Sequence, residues 1–206
     1  MYSDSVPAWI LAAVGAYLLG SISGAIIASY TRHGEDIRKY GSGNAGMTNA
    51  LRTYGIRNAA MVAGIDLLKT VLAILLARWL LGKVPGLIVG GSFAVLGHML
   101  PVYYQFKGGK GVLCSAAIIL MMDWRLFLCG AAVFAMAVLL TKTVSVASIA
   151  ACICIPVFCL LLKETETYLL FALALALAVI VMHHANIGRI VRGEEKQTVI
   201  AKRRKP

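Results

Sequence analysis

A glycine-rich stretch between residues 41 and 52 carries the side chains that a phosphate-binding loop needs. Its polar members are Ser42, Asn44, Thr48, Asn49 and Arg52, and Gly43 lies among them. Glycine lets the backbone approach a ligand closely, and an arginine can hold a phosphate through two parallel hydrogen bonds. A short helix is predicted to follow and to end at Gly55, and its N-terminus would favour an anion. A solvated glycine-rich loop would have the same composition.

A second group combines lysines with glycines where the chain enters an apolar run. Its members are Lys107, Gly108, Gly109, Lys110 and Gly111. Amides freed by glycine, a helix N-terminus and two ammonium groups form a cradle for phosphate. The pattern is not a nucleotide-binding P-loop, because the glycine spacing is too short and Val112 lacks the required hydroxyl. The alternative interpretation is a cytosolic turn whose lysines only follow the charge bias of membrane proteins.

The third group lies where the last apolar run ends. His183 and Asn186 are three residues apart, so they share a face if the segment is helical. Histidine exchanges protons near neutral pH, which makes His183 a candidate general base. A histidine at a membrane boundary is also a common interfacial residue, especially at His184.

Two charged residues, Asp66 and Lys69, stand inside an apolar run. A lone charge in a membrane costs roughly 2.5–3.5 kcal/mol, so both are predicted to face protein and can pair at their i,i+3 spacing. A structural ion pair and support for a site both remain open. His98, just before the second group, is predicted to be a packing or supporting residue.

The elements that position these groups are predicted to be membrane-spanning helices. Of 206 residues, 60% are hydrophobic and 14% are charged, against roughly half and a quarter in soluble domains. A lone strand in lipid leaves its backbone unsatisfied, so the fold class is all-α. The candidate spans are Pro7–Tyr30, Ala59–Leu81, Pro85–Tyr103, Val112–Met122, Arg125–Leu140, Val144–Leu162 and Tyr168–Met182. The alternative, one helix over Val112–Leu140, would leave six spans and put Asp123 and Arg125 in the membrane.

Orientation follows from the basic residues, which favour the cytosolic side. With about seven spans, one side receives most of them and the other receives only Lys83, Arg125 and Lys163. The N-terminus is then outside and the C-terminus cytosolic, and residues 1–206 form a single integral membrane domain. The loops predicted to face the cytosol are about 31–58, 104–111 and 183–206.

The composition also excludes other classes of function. The net charge of +11 comes from loops and the C-terminal tail, with no basic helix or aromatic strand that would read nucleic acid. The five cysteines lie in apolar runs without a C-x-x-C spacing, so neither a metal nor another cofactor is expected. The start of the chain lacks the basic residues of a cleavable signal, so the first run is expected to remain as a span.

Taken together, the three groups resemble the bacterial membrane-bound acyl-phosphate:glycerol-3-phosphate acyltransferases. That family has a G-S-G-N-x-G-x-T-N-x-x-R stretch, a K-G-G-K-G loop and an H-x-x-N-I-x-R-x-x-x-G-x-E stretch. These patterns match residues 41–52, 107–111 and 183–195 in the same order, over nearly the whole chain. Met47 departs from the alanine that the family usually has, and it would either crowd the loop or lie against lipid.

The resemblance implies transfer of a fatty acyl group from long-chain acyl phosphate to the 1-hydroxyl of glycerol 3-phosphate. The products would be lysophosphatidic acid and phosphate, made in the bacterial cytoplasmic (inner) membrane among its lipids. Ser42 and Arg52 match the essential residues of the first motif, and the second motif is associated with holding glycerol 3-phosphate. His183 and Asn186 match the active pair of the third motif, and Glu195 matches a glutamate that supports the structure.

The side chains suit this chemistry, because an acyl phosphate is already activated and needs mainly positioning and charge neutralisation. Either His183 or a substrate phosphate would take the acceptor proton. Two other functions fit the sequence less well. An acyl-CoA enzyme would carry an H-x-x-x-x-D pair, which is absent. A transporter or channel for a phosphate-bearing solute would place its charged site near the midplane, where only Asp66 and Lys69 qualify.

Overall fold

The computed structural model describes residues 5–197, and within them the regular structure is helical. The α-helices are α1 (Val6–Gly20), α2 (Gly24–His33), α3 (Met47–Tyr54), α4 (Ile56–Leu81), α5 (Lys83–Met99), α6 (Val112–Met122), α7 (Trp124–Thr141), α8 (Val144–Leu161), α9 (Glu166–Met182) and α10 (His184–Val191). Short 3-10 turns occupy Ile37–Lys39 and Val102–Tyr104. The all-α prediction is confirmed, and the basic tail at 202–205 lies outside the described residues.

Every predicted span is mainly helical, but the first is interrupted at residues 21–23, between α1 and α2, and the helices differ in length. Within residues 5–197, five segments are long and apolar enough to cross a membrane, and α9 with α10 makes a sixth if that pair, bent by 63°, is one span. Helix α6 has 11 residues, a rise of about 16 Å against a hydrocarbon core of about 30 Å. The exact count of seven spans and their orientation therefore stay predictions.

The chain breaks between α6 and α7, so the alternative of one long helix is wrong. Asp123 caps α7 by accepting a hydrogen bond from the backbone of Arg125 at 2.6 Å. The Arg125 guanidinium pairs with Asp123 at 2.6 Å and with Glu164 at 3.1 Å. These charges cluster at the ends of helices, where the cost of burial in lipid is avoided.

The described residues group into two compact units, one up to Ile118 and one from Ile119 onward. In the first unit, α1, α4 and α5 pack through small residues, as membrane helices do when their backbones approach closely. A Cβ on Gly20 would lie 2.3 Å from the Ala94 carbonyl oxygen, and one on Gly97 would lie 2.3 Å from that of Tyr17. The single domain predicted from the sequence stays a prediction.

The second unit contains α7, α8 and α9, which pack in chain order. Gly130 of α7 faces Ile155 of α8 so closely that a Cβ there would be 2.8 Å from the isoleucine side chain. Large apolar side chains such as Leu139 and Leu160 remain exposed, at 78% and 64%. An exposed apolar surface of this kind fits lipid rather than water.

Candidate active site

The first loop, residues 36–46, is built around the side chain of Asn49. Its amide oxygen accepts a hydrogen bond from the Ser42 backbone N–H at 2.9 Å. Its amide nitrogen donates to the carbonyls of Tyr40 at 3.0 Å and Asn44 at 3.1 Å, with a longer contact to Ile37. Asn49 is 1% exposed. Asn49 was predicted to bind substrate, and in the structure its hydrogen bonds hold the backbone of the loop in shape.

Two glycines let the loop turn back over Asn49. Gly41 and Gly43 have φ of 62° and 74°, in the left-handed region that side chains disfavour. A Cβ on Gly41 would lie 2.1 Å from the Asn49 amide oxygen. The predicted short helix is present as α3 and ends at Gly55 with φ of 83°, and the half-buried Met47 packs against a buried cluster that includes Ile37 and Ala45 of the loop.

The predicted ligands of this stretch are distributed along the loop and α3. Ser42 and Gly43 are exposed, Asn44 and Thr48 are half-buried, and Arg52 is half-buried in the last turn of α3. Thr48 and Arg52 are four residues apart, so they lie on one face of the helix. A hydroxyl and a guanidinium are thereby offered side by side, next to the amides of the loop.

An arginine that sequence analysis missed joins the first loop to the second. Arg38 pairs with Asp36 at 2.7 Å and donates to the Tyr104 carbonyl at 2.8 Å. The hydrogen bonds from Arg38 hold the pKa of Asp36 below its usual value, against the opposing effect of burial. A cleft of about 420 Å³ lies beside Arg38, and its lining residues are Arg38, Lys39, Gly43, Gln105, Lys107 and Gly108. The two loops are thus brought together around a cationic cleft.

The glycines of the second loop are required by packing. A Cβ on Gly108 would lie 2.1 Å from the His98 carbonyl oxygen, and one on Gly109 would lie 2.2 Å from the His98 imidazole. Gly111 has φ of 80° and contacts Met99. Lys107 is exposed and Lys110 is half-buried immediately before α6. The positively charged side chains of this loop are those of Lys107 and Lys110.

Beneath the second loop lies a buried polar cluster. Asp66 and Lys69 pair at 3.0 Å, as their spacing predicted, and they are 1% and 3% exposed. The Lys69 ammonium also lies 2.9 Å from Nδ1 of His98. Both charges therefore face protein, which is the arrangement that a membrane interior demands.

The third group forms its own network in the second unit. Glu195 accepts hydrogen bonds from Ser145, from Asn186 at 2.6 Å and from Arg189 at 2.7 Å. Asn186 also donates to the Ser145 hydroxyl at 2.8 Å. Burial alone would raise the pKa of Glu195, but the bonds from Ser145, Arg189 and Asn186 outweigh it and lower that pKa. The glutamate stays charged and fixes the Asn186 amide.

His183 is 2% exposed at the bend between α9 and α10. Its Nδ1 lies 2.8 Å from the Val179 carbonyl oxygen. A carbonyl only accepts, so Nδ1 carries the proton and the basic lone pair of the neutral ring is on Nε2. This is the tautomer that a general base needs.

Sequence analysis missed Arg38 and Ser145, and it predicted His98 as a packing or supporting residue without its contact with Gly109. Ser145 is 41 residues from its partner Asn186 in the sequence. The sequence feature that could have indicated Ser145 is its place in the first turn of a helix, just after the basic residue Lys142. Within residues 5–197, no three His, Cys, Asp or Glu side chains are grouped so as to hold a metal ion.

Comparison with known proteins gives one family match that contains the first two groups and residues 183–193 of the third. A profile described as glycerol-3-phosphate acyltransferase matches residues 10–193. A glycerol-3-phosphate acyltransferase of Thermoanaerobacter sp. (strain X514) is 38% identical over 91% of this chain and 94% of its own length. Glycerol-3-phosphate acyltransferase 2 of Bacillus anthracis is 38% identical, over 92% and 99%.

Solved structures agree with this match. The chain is similar to the crystal structure of PlsY (YgiH), an integral membrane glycerol 3-phosphate acyltransferase, in its glycerol 3-phosphate form. The TM-score is 0.84 at 34% identity, and the match covers 92% of this chain and 94% of that one. The lysophosphatidic acid form matches with a TM-score of 0.83 at 31% identity.

Proposed function

This chain belongs to the glycerol-3-phosphate acyltransferase family, and we propose that it works at the cytosolic end of its helices with acyl phosphate as donor. It is a multi-pass membrane enzyme. It transfers a fatty acyl group to the 1-hydroxyl of glycerol 3-phosphate and releases lysophosphatidic acid and inorganic phosphate. The supporting observation is the cationic cleft between the first two loops, in a chain whose family match over residues 10–193 includes the first two motifs and most of the third.

The first unit supplies the groups that hold phosphate. Arg52 and Lys110 neutralise the charges of the two substrate phosphates, since preorganised cations stabilise the charge that develops during transfer. Ser42, Asn44 and Thr48 orient the substrates through their hydroxyl and amide groups. Ser42 binds rather than attacks in this proposal, because no histidine that could act as its base lies near it in the sequence.

The reaction is a direct transfer without an acyl-enzyme. The acceptor oxygen forms a bond to the acyl carbonyl carbon, the bond from that carbon to the phosphate oxygen breaks, and phosphate leaves with the electron pair. The acceptor proton goes to Nε2 of His183 or to a phosphate oxygen. Asn186, held by Glu195 and Ser145, presents a fixed amide for orienting a substrate.

The distribution of basic residues favours a site on the cytosolic side of the membrane. The loops at 31–58, 104–111 and 183–206 carry most of the basic residues, and such loops favour the cytosol. The host membrane is then the bacterial cytoplasmic membrane. The acyl chain stays among lipid while the head groups meet the loops. Glycerol 3-phosphate and acyl phosphate are the partners that this arrangement requires.

The test of the reaction is acyl transfer by the purified protein to labelled glycerol 3-phosphate. Palmitoyl phosphate and palmitoyl-CoA are offered as separate donors, with Ser42→Ala and Lys110→Ala as variants. Lysophosphatidic acid from palmitoyl phosphate alone, with both variants impaired, is the expected result. Product from palmitoyl-CoA would contradict the assignment of acyl phosphate as the donor. An acyl-enzyme trapped on denaturation would contradict direct transfer.

The test of sidedness uses single cysteines in a protein whose five natural cysteines are replaced. Lys39→Cys in the first loop is expected to resist a membrane-impermeant thiol reagent added outside intact cells. Lys163→Cys, between α8 and α9, is expected to react. The reverse pattern would overturn the cytosolic assignment.

A further inference from the structure

Three elements of the first unit are joined by one buried ammonium. The three donors of Lys69 have three partners, which are the Asp66 carboxylate at 3.0 Å, Nδ1 of His98 at 2.9 Å and the Ile22 carbonyl. The same Asp66 oxygen accepts a hydrogen bond from the Gly24 backbone at 3.3 Å. The cluster therefore ties the α1–α2 junction to α4 and α5 with the hydrogen-bonding capacity of Lys69 filled.

The cluster fixes the orientation of the His98 ring. Its Nδ1 lies 2.9 Å from the Lys69 ammonium and 3.6 Å from Oδ1 of Asp66, so this edge of the ring faces the ion pair. The ring cannot rotate about χ2 without losing the Lys69 hydrogen bond. The Nε2 edge is thereby held in one direction.

That edge lies against the second loop. A Cβ built on Gly109 would be 2.2 Å from Nε2 of His98 and 2.8 Å from the Ala45 carbonyl oxygen of the first loop. The Gly109 N–H donates to the His98 carbonyl at 3.1 Å. Gly109 is thus held between the imidazole on one side and the first loop on the other, one residue before Lys110.

We propose that His98, held by the Asp66–Lys69 pair, is a positioning residue for glycerol 3-phosphate. The imidazole fixes the position of the Gly109 backbone. Through Gly109 it also fixes the positions of the Lys110 ammonium and of the backbone amides that lead into α6. His98 does not touch the substrate. This inference rests on the proposed function, because it assigns the second loop to glycerol 3-phosphate rather than to acyl phosphate.

The cost of the cluster supports a positioning role. A buried ion pair is often no more stabilising than apolar residues of the same volume, and each charge in a membrane is expensive. A fully satisfied polar network does specify one geometry, because every other arrangement leaves a buried group unpaired. The network ends at the residue beside Lys110, so the geometry that it specifies is that of the loop.

Two amide variants separate positioning from stability. In His98→Asn the side-chain oxygen can still accept from Lys69, but the chain is too short to reach Gly109. In His98→Gln the terminal amide reaches the position of Nε2. His33→Asn removes an exposed imidazole that stacks on Tyr54 at 4.0 Å, and it serves as the control.

The measurement is KM for each substrate, with palmitoyl phosphate as donor. His98→Asn is expected to raise KM for glycerol 3-phosphate about tenfold and to change KM for palmitoyl phosphate less than about twofold. His98→Gln fills the space beside Gly109 but loses the Lys69 hydrogen bond, so it is expected to raise the same KM by a smaller factor, and His33→Asn is expected to stay within about twofold of the wild type for both substrates. Equal behaviour of the Asn and Gln variants, or a parallel rise of both KM values, would overturn the proposal.

A second variant covers the case in which His98→Asn does not fold. Asp66→Asn combined with Lys69→Met removes the pair without leaving an unpaired charge, and it is expected to raise the same KM. If neither variant can be purified folded, the cluster serves stability alone and the proposal is wrong. An inactive wild type would contradict the proposed function, whereas an active wild type with unchanged variants would contradict only this inference.

Discussion

The amide oxygen of Asn49 accepts the backbone N–H of Ser42 at 2.9 Å, across seven residues of sequence. The bond turns the Ser42 segment back onto the first turns of α3, and the amide nitrogen anchors the two carbonyls at Tyr40 and Asn44. One buried side chain therefore replaces the regular hydrogen bonding that this loop lacks. The position of Ser42 depends on a residue that does not itself face the cleft.

Replacing Asn49 with aspartate is expected to disrupt the first loop. The change keeps the acceptor for Ser42 but turns the other end into an oxygen that faces carbonyl oxygens, and unsatisfied buried acceptors are costly. We expect kcat/KM to fall about tenfold to a hundredfold. Asn58→Asp makes the same chemical change at a buried amide that donates only to the Tyr54 carbonyl. A similar loss of activity in both variants would mean that charge alone is responsible.

Helix positions were predictable because apolar runs in lipid leave few alternatives to the helix. The break at Asp123 was also predictable, since a capping carboxylate followed by Arg125 marks a helix start. The sequence could not show which of the polar residues serve the protein itself. Asn49 was predicted to bind substrate because an amide in a glycine-rich stretch has the same composition whether its partner is a ligand or its own backbone.

Long-range contacts account for the other features that were missed. Ser145 meets Asn186 across 41 residues, and His98 meets Gly109 only because the chain reverses after α5. Neither contact has a periodicity or a motif that a single sequence displays. The glycines of the second loop were predicted to bind substrate, and the structure adds that a Cβ on Gly108 or Gly109 would collide with His98, a contact that a single sequence does not display.

Adding a methyl group at Gly108 is expected to abolish most activity. The Cβ would lie 2.1 Å from the His98 carbonyl oxygen and 2.6 Å from the Pro101 ring, so the backbone of the loop must move. A displacement of about 1 Å near a reacting centre can cost about a hundredfold in rate. Gly64→Ala in α4 is the control, since no atom lies within 4 Å of its Cβ and alanine favours helix. Activity of Gly108→Ala near that of the control would show that the loop tolerates the shift.

Removing the hydroxyl of Ser145 is expected to loosen the Asn186 amide. Ser145 donates to Glu195 and accepts from Asn186, so Ser145→Ala removes one of the hydrogen bonds that hold the amide. We expect kcat/KM to fall about tenfold with little change in the apparent Tm. Ser148→Ala, one turn further along α8, removes a hydroxyl that bonds only the Val144 carbonyl. That variant is expected to remain within about twofold of the wild type, and equal losses would remove Ser145 from the site.

The stability of the second unit is expected to depend on the charge of Glu195. In Glu195→Gln, one oxygen can still serve Ser145 and Asn186, but the new NH₂ group must face the Nε–H donor of Arg189. Two donors then meet at a position where the side chain is 7% exposed. We expect the variant to lose about 1–3 kcal/mol of stability at neutral pH, the usual cost of an unsatisfied buried group.

The neighbouring glutamate provides a matched control for this prediction. Glu194 pairs with Arg192 at 2.8 Å, but their side chains are 57% and 60% exposed. Solvent screens such a pair, so Glu194→Gln is expected to leave the apparent Tm nearly unchanged. A loss of stability in Glu194→Gln as large as that in Glu195→Gln would mean that the buried network has no special part.

The contribution of Glu195 to stability is expected to depend on pH. The folded pKa of Glu195 is lowered from its value of 4.5, so its charged form stabilises the protein above the unfolded pKa, and this contribution is lost as pH falls through the folded value. The difference in apparent Tm between the wild type and Glu195→Gln should therefore be fully present above about pH 5 and shrink as the pH falls through 4.5 toward the lower folded pKa. Thermal unfolding in detergent across this range measures it. A difference that stays constant with pH would show that Glu195 acts through its shape and not through its charge.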